Sequence, residues 1–195
     1  MQFLFNTTDA PQAYADGTGH FPEAPERCPH KDCHKPVKMR KHGFYERYVS
    51  IRGFHEKIRI RRYRCAVCGR TVSMLPSFCV PYLLHGVELI IQSLLLAAEH
   101  KSVRYVATRW AERVGSLTRR HIYHYRKGII RNRAQIQLGL NLISPEFVEL
   151  KQIAGDSDWT QSFLETVRHL NLPKFNEKYH ALTNTSFMSS HNNVA

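Results

Sequence analysis

With 195 residues, the chain is long enough for one ordinary domain or two small ones, and 43% hydrophobic against 23% charged residues predicts a packed core. Its formal net charge of +12 favours a polyanionic partner. No apolar stretch is long enough to span a bilayer, since the longest, Leu89–Ala98, is interrupted by Gln92 and Ser93.

The charge is concentrated. Residues 28–68 hold 12 Lys/Arg against 3 acids, and residues 100–133 hold 10 against 1, so two basic blocks carry the whole excess. Solubility alone would leave charge mixed along the chain. Neither block has the long basic helix with a bulky apolar face that interfacial binding uses, so no membrane partner is expected. The start, "MQFLFNTTDA", lacks the basic and apolar regions of a secretory signal, and a cytoplasmic, nucleoid-associated setting is expected.

Residues 1–27 are rich in Ala, Pro, Gly and Asp without a period, and read as a flexible lead-in. From Cys28 onward the pattern is short and extended. "VKMRKHGFYERYVSI" is β-branched and aromatic, "RGFHE" is a turn, and "KIRIRRYRC" alternates. That alternation sends Ile58 and Ile60 to one face and Arg59, Arg61 and Tyr63 to the other.

Beyond Pro76 and Pro81 the helical period takes over. "GVELIIQSLLLAAEH" is apolar nearly all round, as a buried helix would be. "SVRYVATRWAERVG" is capped by Ser102, places Val103, Val106, Ala107, Trp110 and Ala111 on one face, and stops at Gly115. "LTRRHIYHYRKGIIRNR" is capped by Thr118, with Ile122, Tyr125 and Ile129 as its inward stripe. One further helix is predicted from Ser144-Pro145-Glu146, and another near Asp158 that aligns Trp159, Phe163, Val167 and Leu170. The polar end, residues 183–195, reads as a disordered tail.

Cysteine spacing carries the clearest chemistry. Cys28-x4-Cys33 is followed, after 31 residues, by Cys65-x2-Cys68. Each pair suits a tight knuckle, and the strands between them would bring four thiolates into a tetrahedron around one zinc ion. A redox pair would need a thioredoxin-like βαβ context, which this segment lacks. His30 or His34 could replace one thiolate, though the four-Cys set fits better. Four protein ligands leave no open position, so the zinc is expected to be structural. Cys79, between Phe78 and Val80, reads as a small buried hydrophobe.

The stretch 102–133 reads as a helix, a turn and a second helix with a basic exposed side. In a helix-turn-helix the second helix enters the major groove with its N-terminal residues at base edges. That assigns Arg119, Arg120, Tyr123 and His124 to bases, and Lys127, Arg131 and Arg133 to phosphates. Arg59, Arg61 and Arg64 on the last strand of the ribbon would add phosphate contacts.

The run "CPHKDC…HGFYERY…IRIRRYRCAVCGRTVSMLPSFCVPY" followed by "VRYVATRW…SLTRRHIYHYR" resembles the zinc ribbon plus helix-turn-helix of bacterial insertion-sequence transposases. It is similar, too, to an uncharacterised transposon-associated bacterial family that carries the same "RRYRC..CGRT.S.LPSF..PY" run. The resemblance covers about residues 28–133 and implies binding to transposon-end DNA. Family transposases also carry an RNase-H-like domain with three metal-binding carboxylates. The 62 residues after Arg133 are too few for it, and Asp156 and Asp158 read as helix-start residues. No P-loop, G-x-S-x-G or H-E-x-x-H motif occurs.

The expected fold class is therefore α+β, with a small β-type zinc ribbon over 28–78, a mostly helical helix-turn-helix domain over 82–133, and C-terminal helices over 144–172. The expected function is sequence-specific binding of double-stranded DNA by a protein of mobile-element origin, not an enzyme, acting as a regulator or as the recognition subunit of a transposase or nuclease partner. The alternatives are an RNA-binding zinc-ribbon protein and a partner-dependent transposase fragment.

Overall fold

Two strands lie in the first basic block, a third follows it directly, and a fourth joins them from near the start of the chain. The computed structural model describes residues 1–111, 114, 116–144, 147, 150 and 153–188. Strands β1 (Gln2–Phe5), β2 (Arg40–Ile51), β3 (Phe54–Arg64) and β4 (Thr71–Pro76) form one sheet in the order β1-β4-β3-β2. β3 runs antiparallel to both β2 and β4, while β1 lies parallel to β4 at the edge. The β2–β3 hairpin turns through Arg52-Gly53, where Gly53 takes a φ of 76°, a left-handed conformation that a side chain would strain. A register shift between Lys41 and Phe44 surrounds Gly43, also left-handed.

The alternation read in β3 holds. Ile58 and Ile60 are fully buried with Val49, Leu75, Phe78 and Cys79, and burial pushes the Cys79 thiol up to about 12. Tyr63, on the opposite side with Arg61, is buried as well. A second small core of Met39, Val72, Met74 and the cysteines covers it, and its hydroxyl donates to the Pro22 carbonyl at 2.5 Å.

Residues 1–27 correct the flexible lead-in. They supply β1 and a short helix α1 (Pro11–Ala15) whose Tyr14 is completely buried. The Tyr14 hydroxyl donates to the His20 carbonyl and pairs with Thr7 Oγ1, so the buried ring keeps its polar end satisfied.

Among the described residues six further helices follow: α2 (Val87–Glu99), α3 (Val103–Ala111), α4 (Arg119–Arg131), α5 (Arg133–Ile143), α6 (Asp156–Arg168) and α7 (Leu172–Thr183). Ser102 caps α3 by accepting from the Tyr105 amide at 3.2 Å; Gly115, its expected terminator, lies outside the described residues. Ile122, Tyr125 and Ile129 of α4 are buried, as the stripe predicts. α6 begins two residues before Asp158 and buries Trp159, Phe163 and Val167, with Asp156 and Asp158 in its first turn.

The C-terminal region departs further from expectation. α5 and α7 were not among the expected helices, and Ser144 closes α5 as its C-cap; Pro145 and Glu146 lie outside the described residues. Gly139 lets α7 approach α5 closely, since a Cβ there would meet the Tyr179 ring at 2.2 Å. The expected disordered tail begins with packed residues: Phe187 and Met188 are buried and Asn132 Nδ2 donates to the Phe187 carbonyl at 3.1 Å. Residues 189–195 lie outside the described residues.

Sheet and helices are joined by buried polar ties. Asn176 Nδ2 of α7 donates to the carbonyls of Ser77 and Cys79, both at 2.8 Å. The Ser50 amide at the end of β2 donates to Leu84 O, and Ser50 O accepts from the Gly86 amide at the start of α2. The described residues include no helix long and apolar enough to cross a membrane.

Candidate metal centre and basic surfaces

The strand β3 ends at Arg64 and the chain turns back at once through Cys65–Arg70 to enter β4. The Cys65 amide donates to Arg70 O and the Gly69 amide to Cys65 O, closing a tight loop in which Gly69 has a φ of 71°. The Cys28 loop repeats the device. The Cys28 amide donates to Lys35 O, and the amides of Cys33 and His34 both donate to His30 O. The two loops face one another, and the 2.7 Å ion pair between Arg70 and Asp32 bridges them.

Between them, the Sγ atoms of Cys28, Cys33, Cys65 and Cys68 all lie within 4.8 Å of one another. Cys28 Sγ is 3.7 Å from Cys68 Sγ, and Cys33 Sγ is 3.9 Å from Cys65 Sγ. A tetrahedral ion with metal–sulfur bonds of about 2.3 Å sets its sulfurs about 3.8 Å apart, whereas a disulfide would bring them to about 2 Å. The set is thus compatible with zinc and not with paired disulfides. Neither His30 nor His34 belongs to it. The Cys68 and Val67 amides lower the Cys65 thiol to about 7, while burial raises that of Cys28 to about 12.

The expected DNA-contacting residues fall in separate places. On α4, Arg119, Arg120, Tyr123, His124, Lys127 and Arg131 are all exposed, and Arg126, not singled out from sequence, is exposed with them. The helix begins firmly, because the Thr118 amide donates to His121 Nδ1 at 3.2 Å. Arg133 departs from its expected role at phosphate. Its guanidinium donates to the carbonyls of Ile153 and Ala154, pairs with Asp156 at 3.1 Å and lies over Trp159. It fastens α5 to α6.

On the hairpin, Arg64 Nε donates to Gly69 O at 3.0 Å, so this arginine braces the second cysteine loop while remaining exposed. Arg61 and Arg59 lie over the ring of Phe44, with guanidinium carbons 3.8 and 4.6 Å from its centroid. Together with Phe21, Tyr63 and Lys41 they line a cleft of about 350 Å³.

Sequence reasoning missed a buried polar junction beneath α4. His85 is fully buried, with Nδ1 against the Tyr125 hydroxyl and Nε2 3.1 Å from Ser116 Oγ, which in turn sits 2.8 Å from Ser50 Oγ. Its only sequence signal was a histidine between a leucine and a glycine, which carries no spacing information.

Residues 28–110 match a family described as Domain of unknown function (DUF6431), a span that holds all four cysteines, β2 to β4, α2 and most of α3. No curated protein and no solved structure matches the chain. The family match and the four-cysteine cluster together fit a zinc-binding domain.

Proposed function

We propose that the chain is a double-stranded DNA-binding protein of mobile-element type, built on one structural zinc ion and lacking catalytic machinery of its own. The observation that carries this reading is the placement of four thiolates at the base of a basic hairpin, in a protein whose helix α4 also turns a run of arginines to solvent. Zinc held by Cys28, Cys33, Cys65 and Cys68 would have every position filled by protein, so it supplies rigidity to the two loops and no reactive water.

In this reading residues 28–78 act as a zinc ribbon and α3–α4 as a helix-turn-helix. Arg119, Arg120, Tyr123 and His124 meet base edges, while Lys127 and Arg131 meet phosphates. Arg59, Arg61 and Arg64 add sequence-independent attraction from the hairpin. The protein serves as a regulator or as the recognition subunit of a transposase or nuclease.

The test combines metal content with selection. Purified protein is expected to hold one zinc per chain and to enrich a defined sequence from a random duplex library, and chelation of the metal is expected to abolish that enrichment. Competition between duplex DNA and structured RNA at fixed salt decides against the RNA-binding alternative if the duplex wins.

A further inference from the structure

The β2–β3 hairpin has one dry face and one wet face, and the wet face is unusual in composition. Register places Phe44 opposite Arg61, Glu46 opposite Arg59 and Tyr48 opposite Lys57, and the wet face ends at the buried Ser50, opposite the exposed His55. Paired residues in an antiparallel ladder point the same way. On this face the rings of Phe44 and Tyr48 in β2 therefore lie across from the cations Arg61 and Lys57 of β3, while Ile58 and Ile60 point into the core.

Two stations stand out. At the hairpin's outer end Tyr48 and His55 stack, with centroids 5.6 Å apart and planes 18° from parallel, and Lys57 sits 5.6 Å from the Tyr48 centroid. Tyr48 is still 52% exposed. Nearer the cysteine loops, Phe44 is 37% exposed, and its ring holds the guanidinium groups of Arg59 and Arg61. The acid on this face, Glu46, is paired with Lys57 at 3.7 Å, which leaves the two arginines to set the local potential.

Phe44 packs edge-on against Phe21, with ring centroids 5.7 Å apart, whereas the Tyr48 ring belongs to none of the hydrophobic cores. Such rings give a duplex little, because paired bases keep their faces inside the stack. An unpaired base offers a free π face, and aromatic side chains or flat guanidinium groups beside a basic track are the usual means of holding one. Four strand positions separate Phe44 from Tyr48, about 13 Å, enough for two stretched nucleotides between the stations.

We propose that the outward face of the β2–β3 hairpin binds single-stranded nucleic acid. One unpaired base stacks on the Tyr48–His55 pair, a second lies against the Phe44–Arg61 station, and Arg59 holds the phosphate between. The proposal rests on the reading above only for a nucleic-acid partner, and it uses a different surface from α4.

The test uses the zinc-loaded full chain and fluorescence anisotropy with labelled oligo(dT) and oligo(U) of about 12 nucleotides, within the span of a single-strand site. A blunt duplex is titrated in parallel. Tyr48→Ala is expected to weaken oligonucleotide binding roughly tenfold while duplex binding stays within about twofold, since stacking on one ring is lost. Tyr48→Phe, which keeps the ring, is expected to bind as the parent does. Preference for oligo(dT) or for oligo(U) assigns the strand as DNA or RNA. Oligonucleotides that fail to bind where duplex saturates overturn the proposal, as does a Tyr48→Ala variant that loses both ligands equally or neither. A parent protein that binds the oligonucleotides but not the duplex instead overturns the α4 reading alone.

Discussion

His85 Nδ1 lies 2.5 Å from the Tyr125 hydroxyl, joining the segment that leaves the sheet to the middle of helix α4. Ser116, from the turn before α4, closes the other side of the imidazole, and Ser50 extends the chain to the end of β2. The proposed recognition helix is thus held against the sheet by a buried polar chain, not by apolar contact alone.

Acid should loosen this junction. Burial, aided by the nearby His121 and His55, lowers the His85 pKa to about 4, below the ordinary histidine value of about 6.5. A folded pKa below the unfolded one means that the unfolded chain binds the proton more readily. The stabilisation is therefore complete above about pH 6.5 and is lost as pH falls towards 4. The ceiling is on the order of 3 kcal/mol for His85, and His180, also lowered to about 4 by burial, acts in the same direction. His85→Gln, which cannot titrate, is expected to flatten the pH dependence of denaturant unfolding across that window. Parallel curves for parent and variant would mean that His85 does not carry the effect.

Cys65→Ser is expected to lower zinc content from one per chain to none and to unfold the two cysteine loops, because three thiolates and a hydroxyl hold the ion poorly. Cys79→Ser is the control. That thiol is buried in a different core, so the variant keeps its metal even if its stability falls. Elemental analysis of both variants separates ligand from bystander.

Replacing Arg59, Arg61 and Arg64 together with alanine is expected to weaken binding to all duplexes alike. The slope of log affinity against log salt should fall by about one unit per lost phosphate contact. An effect confined to one sequence would move these residues from phosphate to base contact.

Arg120→Ala tests the exposed start of α4. A lost bidentate arginine–guanine pair costs about 1–3 kcal/mol at the preferred site and little elsewhere. The selected sequence should become less defined, with zinc content and helicity unchanged. If Arg119 and Arg120 can both be removed without altering the selected sequence, the recognition role of this helix is lost.

Gly139→Ala is expected to destabilise the fold by about 1–3 kcal/mol. The new methyl would meet the Tyr179 ring, which is fully buried and tied by its hydroxyl to Gln135 O. Thermal or denaturant unfolding reads this directly.

The cysteine centre was legible because metal chemistry is written in local spacing: two close pairs, a strand hairpin between them, and Gly69 where the second loop must reverse. The inward stripe of α4 was legible for a similar reason, since Ile122, Tyr125 and Ile129 mark one helical face without help from the rest of the fold. Other elements depend on distant partners. "AQIQLGLNL" alternates like a strand and contains a glycine, yet it is helical in α5, where Gly139 makes room for the Tyr179 ring. α7 carried local signals that went unread: an Asn171 cap accepting from the Lys174 amide, Pro173 in the first turn, and Leu172, Phe175 and Tyr179 on one helical face. β1 has four residues and no signal of its own; its pairing with β4 defines it. Arg133 looked like one more cation in a basic run until the carbonyls of Ile153 and Ala154 claimed it.

The edge position of β1 also sets an order of assembly. On the ribosome β1 emerges before β4, the strand that Gln2 to Phe5 must pair with, and well before α7, whose His180 packs edge-on against Phe3. The cysteine loops and the β2–β3 hairpin are complete earlier, since their contacts lie within one short stretch and a metal ion can lock them. β1 must then wait unpaired, an apolar strand without a partner, until the hairpin offers the edge of β4. Metal uptake early in synthesis would shorten that wait, so depletion of the proposed zinc should show first as aggregation of newly made chains and only later as loss from mature ones.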